Sequence, residues 1–260
     1  MTGAYDAHMT PSALASPQGG YFQSTRAPRY SIVFALPLLI AYEGLAALLS
    51  APAGGLRNGA DALFRSAFTV LAGGRGPAVF MAAVILLGVG LVARDIKRSA
   101  QPLRSSYFAL MFAESVVLAI AFGLVIGTIT AQLLGAAHLL AIGAPSGIAT
   151  LSRPTRLMLS LGAGLYEELF FRVILVTGLA SLGRVVFGFG RRRSATIAVI
   201  VSAILFSLFH YIPPYGDPFQ IASFTFRLLS GLAFSALYVA RGFGITAWTH
   251  ALYDAFLLVL

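Results

Sequence analysis

Three short patterns in this 260-residue chain set ionisable side chains inside apolar sequence. The first is Glu167-Glu168-x-x-x-Arg172 in the run Leu157–Leu182, the second Phe206-x-x-x-His210 at the end of Ser194–Ile212, and the third His250-x-x-x-Asp254 within Phe243–Leu260. On a helix Glu168 and Arg172 are i and i+4 with the acid N-terminal to the base, the favourable order for an ion pair. Glu167 points about 100° away from Glu168 and sits five residues from Arg172, so it lacks that cation. A carboxylate without a dedicated cation is available as a general base or acid. Phe206 lies one turn before His210 and can pack beneath the imidazole, while His250 and Asp254 share one helix face. Taken alone, Glu167, Glu168 and Arg172 are equally readable as a buried ion triad that fixes helix packing. A single membrane histidine can likewise serve only as a helix-to-helix hydrogen bond. Six such groups on three separate runs instead enclose something polar, and their types suit hydrolysis by an activated water.

The elements that must position these groups are dictated by composition. Hydrophobic residues make up 58% of the chain and charged residues 10%, with a mean hydropathy of +0.85, so lipid is the solvent for most of it. Only helices and closed barrels satisfy their backbone hydrogen bonds in hydrocarbon, and the apolar runs here are continuous rather than alternating. The expectation is an all-α polytopic membrane bundle of about seven to eight transmembrane helices. The runs are Ser31–Ser50, Pro77–Ala93, Tyr107–Ala136 and Leu157–Leu182, then Ser194–Ile212, Phe219–Ala240 and Phe243–Leu260. Arg57–Ala72 is shorter and carries Arg57, Asp61 and Arg65, which predicts an interfacial amphipathic helix. The segment His138–Leu151, broken by Gly and Pro, is either a re-entrant piece or a loop. Residues 1–29 read as a disordered tail, and residues 30–260 as one membrane-embedded domain with its motifs within 155–257. Ala51-Pro52-Ala53 after the first run invites a signal-peptide reading, but that run is about 20 residues long, which favours an uncleaved helix.

Charge and cysteine content narrow the function. The chain has no cysteine, which removes thiolate nucleophiles, disulfides and cysteine-based metal sites. Its net charge of +9 arises from 17 Arg and one Lys, which in a membrane protein fix orientation in the loops, so no nucleic-acid partner is expected. Alternate connections (the tail, 94–104, 184–193 and Arg241) hold eleven basic residues against five in 51–76 and 137–156, predicting a cytoplasmic N-terminus. A charge at the bilayer centre costs at least about 2.5 kcal/mol on insertion scales. For Glu43, Glu114 and Arg227, the plain account is a pairing of Arg227 with one of the two glutamates. Outside the three patterns, the first 150 residues are expected to contribute only hydrophobic spans.

Together and in this order, the three patterns resemble the CPBP (Abi) family of intramembrane proteases, which includes the type II CAAX prenyl endopeptidases and bacterial relatives. The resemblance covers about residues 155–257. It implies that Glu167 and His210 activate a water for attack on a peptide carbonyl, that Glu168 and Arg172 form a supporting pair, and that His250 with Asp254 stabilises the oxyanion. An ionised Asp254 cannot donate to an oxyanion, so it alternatively orients His250. The family has been described both as zinc-dependent, for which Glu167, His210 and His250 would be the ligands, and as metal-free. No HExxH helix is present and the histidines lie on separate spans, so the metal-free reading is preferred and no cofactor is expected. The implied partners are a membrane-anchored peptide or protein substrate and the lipid bilayer itself, in a bacterial cytoplasmic membrane. A proton-coupled transporter and a non-catalytic immunity or scaffold protein are the competing classes. One difficulty stands: His210 falls near the exterior end of its run, whereas Glu167 lies about ten residues, or roughly 15 Å, inside its own.

Overall fold

A computed structural model describes residues 20–49, 55–99, 102–135, 147–148, 150–212 and 216–259, and among them there is helix and no strand. Helices α1 (Tyr21–Ser24), α2 (Pro28–Leu48), α3 (Gly59–Ala72), α4 (Gly76–Arg98) and α5 (Ser105–Leu134) form the first half. A long helical run follows: α6 (Arg153–Gly162), two π-helical segments (Ala163–Glu167 and Leu169–Val176) and α7 (Thr177–Val185). Helices α8 (Arg191–Phe209), α9 (Ile221–Arg241) and α10 (Phe243–Leu258) complete the bundle.

Five stretches, Pro28–Leu48, Gly59–Arg98, Ser105–Leu134, Arg191–Phe209 and Ile221–Arg241, are long and apolar enough to cross a bilayer. Each has an outward apolar face: on α4, Ile85, Leu86, Leu87 and Val89 are all exposed, as lipid contact requires. The other two expected spans differ in construction. Leu157–Leu182 lies in the run divided by π segments, and α10 has 16 residues, about 24 Å at 1.5 Å per residue.

Helix α2 packs one face on the bundle and leaves the other exposed at Leu36, Ile40 and Leu48. Tyr30, Phe34, Leu38 and Tyr42 recur every fourth residue and are all buried, one stripe packed against α6 and α10. Helix α10 approaches α2 so closely that a Cβ on Gly244 would lie 2.4 Å from the Ser31 carbonyl oxygen. Trp248 Nε1 fastens the two helices by donating to the Phe34 carbonyl at 2.7 Å.

Helices α3 and α4 form a hairpin. Gly73 turns the chain at φ 59°, and Phe64 stacks on Phe80 with ring centroids 5.0 Å apart, which two residues 16 apart on one straight helix could not do. The charges of α3 and of Arg57 just before it do not form a water-facing stripe, contrary to the interfacial expectation. Arg57 and Arg65 turn inward onto Asp61 and Glu43, and Asp61 is fully buried.

Two further expectations are revised. Within residues 20–29, assigned to the tail, Tyr21–Ser24 is helical and α2 begins at Pro28, and the segment is fastened where Tyr21 donates to Glu114 at 2.6 Å and Arg241 donates to the Phe22 carbonyl. Residues 1–19, and 138–146 and 149 of the segment taken as a loop or re-entrant piece, lie outside the described residues. The lone intramembrane charges are paired, but not with one another: Glu43 with Arg57 and Arg65, Glu114 with Arg241, and Arg227 with Asp217.

Candidate active site

The long run from Arg153 to Val185 carries Glu167, Glu168 and Arg172 at the place where its backbone widens into π-turns. Such turns are uncommon and recur at functional sites. Its close neighbours are set by glycine. A Cβ on Gly164 would lie 2.3 Å from the Ala247 carbonyl of α10, and one on Gly162 would lie 2.5 Å from the Tyr42 ring of α2. These two bare positions bring the carboxylates level with His250 on one side and with Asn58 and Tyr42 on the other.

Glu168 and Arg172 are the pair that helical spacing predicts, with Arg172 Nη1 3.1 Å from Glu168 Oε1 and both side chains buried. The same Oε1 accepts from His250 Nδ1 at 2.7 Å, so Glu168 joins the long run to α10. The Phe206 ring lies 4.5 Å from the Arg172 guanidinium, with Phe234 on another side at 5.5 Å. Phe234 also stacks on the His250 imidazole at 4.4 Å, leaving that ring little freedom.

Glu167 has separate partners. Its Oε1 accepts from Asn58 Nδ2 at 2.8 Å, and its Oε2 is buried, has no hydrogen-bond partner among the described residues and lies 3.9 Å from His210 Nε2. His210 caps the C-terminus of α8. Its Nδ1 is 2.8 Å from the Phe206 carbonyl, an acceptor only, so Nδ1 carries a proton and Nε2 is directed at Glu167. Phe206 packs against the His210 ring edge-on at 4.9 Å, as its one-turn spacing predicts.

The apparent mismatch in depth disappears once the helices are counted from their shared turn. Val185 is 18 residues beyond Glu167, and His210 is 19 residues beyond Arg191. The two side chains are level because the first helix begins at Arg153 and overshoots the site, whereas α8 stops at it. Reading the apolar run as the whole helix hid this.

Asp254 departs from the role considered for it. Its Oδ2 is 3.6 Å from His250 Nε2, too long for a hydrogen bond, and its side chain is partly exposed. Glu168, not Asp254, orients His250. All six singled-out residues thus form one cluster, with Asp254 at its outer edge.

The first half of the chain does more than supply spans. Asn58 reaches Glu167 from the N-terminus of α3, and behind it Tyr42 accepts the Asn58 N–H at 3.1 Å and donates to Asp61 at 2.8 Å. Glu43 accepts from Tyr166, the residue before Glu167, at 2.8 Å. Sequence reasoning passed over Asn58, although an Asn directly before an apolar helical stretch is an N-cap signal. Among the described residues, no three His, Asp or Glu side chains are grouped so as to hold a metal ion.

Residues 149–256 match the family model described as Type II CAAX prenyl endopeptidase Rce1-like, the same protease family that the three motifs resemble. The match spans all six clustered residues and leaves Asn58 outside. No curated protein and no solved structure matches the chain. Residues 149–256 are thus similar to a CAAX-type protease family, and they lie in a helical bundle whose long apolar helices make it an integral membrane protein.

Proposed function

We propose that the protein is an intramembrane endopeptidase that hydrolyses a peptide bond of a membrane-tethered or membrane-adjacent substrate with a water activated by Glu167 and His210. The observation that carries this reading is the facing pair itself: an unpartnered carboxylate oxygen of Glu167 lies 3.9 Å from the acceptor nitrogen of His210. That separation is too long for a direct hydrogen bond and suits one water donating to both. Its oxygen lone pairs are then free to attack a carbonyl carbon. As the new C–O bond forms, Glu167 takes the proton, and on collapse of the tetrahedral intermediate it returns that proton to the departing amine nitrogen.

His250 supplies the oxyanion donor in this reading. With a carboxylate near each ring nitrogen, Glu168 at 2.7 Å and Asp254 at 3.6 Å, the imidazole can hold both protons and present Nε2–H to the developing charge. No step needs a metal. No HExxH helix is present and the two histidines lie on separate helices, so the mechanism proposed is the glutamate type. With the N-terminus in the cytoplasm of a bacterial cell, the site lies toward the exterior half of the membrane.

The test is cleavage of a library of membrane-anchored peptides, prenylated and unprenylated, by the purified protein. Glu167→Ala and His210→Ala are each expected to lower kcat by about 10²- to 10⁴-fold, and a chelator to leave the wild type active. Unchanged cleavage by Glu167→Ala overturns the assignment. Activity lost on chelation and restored by Zn²⁺ overturns the metal-free mechanism.

A further inference from the structure

Asn58 is buried and makes two side-chain hydrogen bonds with its two ends. Its Oδ1 accepts from the Ala60 N–H at 2.9 Å, capping α3, and its Nδ2 donates to Glu167 Oε1 at 2.8 Å. The first bond is what an N-cap asparagine does on any helix. The second crosses 109 positions of sequence and ends on the glutamate that, unlike its neighbour Glu168, has no arginine within bonding reach.

The amide is itself fixed from behind. The Tyr42 hydroxyl accepts the Asn58 backbone N–H and donates to Asp61, and Asp61 is held between Arg57 Nη1 at 2.8 Å and Arg65 Nε at 2.7 Å. Both arginines also reach Glu43, which accepts from Tyr166 at 2.8 Å. Gly162 admits this assembly, since a Cβ there would lie 2.8 Å from Asn58 Cβ and 2.5 Å from the Tyr42 ring. Four charges and two phenols therefore converge on the residue immediately before Glu167 and on the amide that grips it.

We infer that Asn58 is a positioning residue for Glu167: its amide pins one carboxylate oxygen so that the other faces His210, and the ion-pair cage of α2 and α3 exists to hold that amide still. The inference rests on the water-activating role proposed for Glu167. An acid free to rotate about its last torsion would share its time among orientations, whereas an anchored one keeps Oε2 at the reacting position. Misplacement of a reacting group by about 1 Å is enough to cost on the order of 100-fold in rate.

The cap and the grip can be separated by substitution. Asn58→Asp and Asn58→Ser both keep a capping oxygen, and neither can donate an amide hydrogen to Glu167. Both keep the helix cap, so a fall in unfolding temperature in detergent reports only the lost contact to Glu167, while kcat is expected to fall by about 10- to 100-fold with KM changed less than about twofold. A second readout does not depend on cleavage. In isotope-edited infrared spectra the carboxylate band assigned to Glu167 by its loss in Glu167→Gln is expected to shift in Asn58→Ser. If both variants retain wild-type kcat, Asn58 is only a cap and the inference fails whatever the band does. If the wild type cleaves nothing, the reading of the site has failed instead, and an unmoved band then overturns the contact on its own.

Discussion

Arg172 shows how a full charge is kept inside this site. It is 1% exposed, its Nη1 meets Glu168, its Nη2 reaches the Gly231 carbonyl at 3.4 Å, and its plane lies against Phe206 and Phe234. Aromatic faces attract a weakly hydrated guanidinium and ask for no further hydrogen bonds. Removing one partner of such a pair strands the other, so Arg172→Leu is expected to cost about 3–5 kcal/mol of stability. Replacing both, as Glu168→Gln with Arg172→Leu, is expected to recover part of that loss without recovering cleavage, because Glu168 also orients His250. Thermal unfolding of the two single variants and the double variant in detergent checks this, and strictly additive losses would show that the pair is not coupled. The Glu168–Arg172 contact was legible in the sequence because i and i+4 on a helix is a local relation. The Glu168–His250 bond spans 82 positions and the Asn58–Glu167 bond 109, so only packing reveals them. The same limit explains the ion pairs: spacing marked Glu43, Glu114 and Arg227 as charges needing partners but could not say which partners fold topology would deliver.

At the scale of elements, the site depends on how near two helices can come. The π segments shift the register of the run that carries Glu167 and Glu168, and Gly164 lets that run lie against α10 at Ala247 and Ala251. A methyl group at position 164 would lie 2.3 Å from a carbonyl oxygen and 2.6 Å from a backbone nitrogen, neither of which can rotate away. Gly164→Ala is therefore expected to destabilise by roughly 3 kcal/mol, the upper end of ordinary overpacking. It is also expected to move Glu168 from His250, lowering activity more than the stability loss alone explains. Unfolding and cleavage measured on the same preparation separate the two effects, and a variant with wild-type values for both would show that the helices yield easily. The apolar runs announced which helices exist, since hydrophobicity over about 20 residues is read directly from sequence. Their ends and their π-turns were not legible. A helix continues past its apolar run wherever tertiary contacts support it, as the run from Arg153 does, and that extension removed the apparent mismatch in depth.

Across the whole molecule, the basic connections gather at one end of the bundle. Arg29 pairs with Asp95 at 3.3 Å, the Arg104 N–H donates to Tyr30 at 2.7 Å, and Arg26 reaches the Val239 carbonyl at 2.8 Å, which places the N-terminal segment beside the 94–104 and 239–242 connections. Helix α8 begins at that end with Arg191, Arg192 and Arg193 and finishes at the site, so the site is displaced toward the opposite end. If loop arginines are retained in the cytoplasm, scissile bonds are presented near the outer face. The absence of cysteine makes this testable by single labelling sites. Val186, at the basic end, and Thr150, just before the long run, are both exposed. In sealed right-side-out vesicles, a membrane-impermeant maleimide is expected to modify Thr150→Cys at once and Val186→Cys only after the membrane is opened. The reverse pattern would invert the bundle and place Glu167 and His210 within reach of cytoplasmic substrates, leaving the chemistry of the cluster unchanged while changing which proteins can meet it.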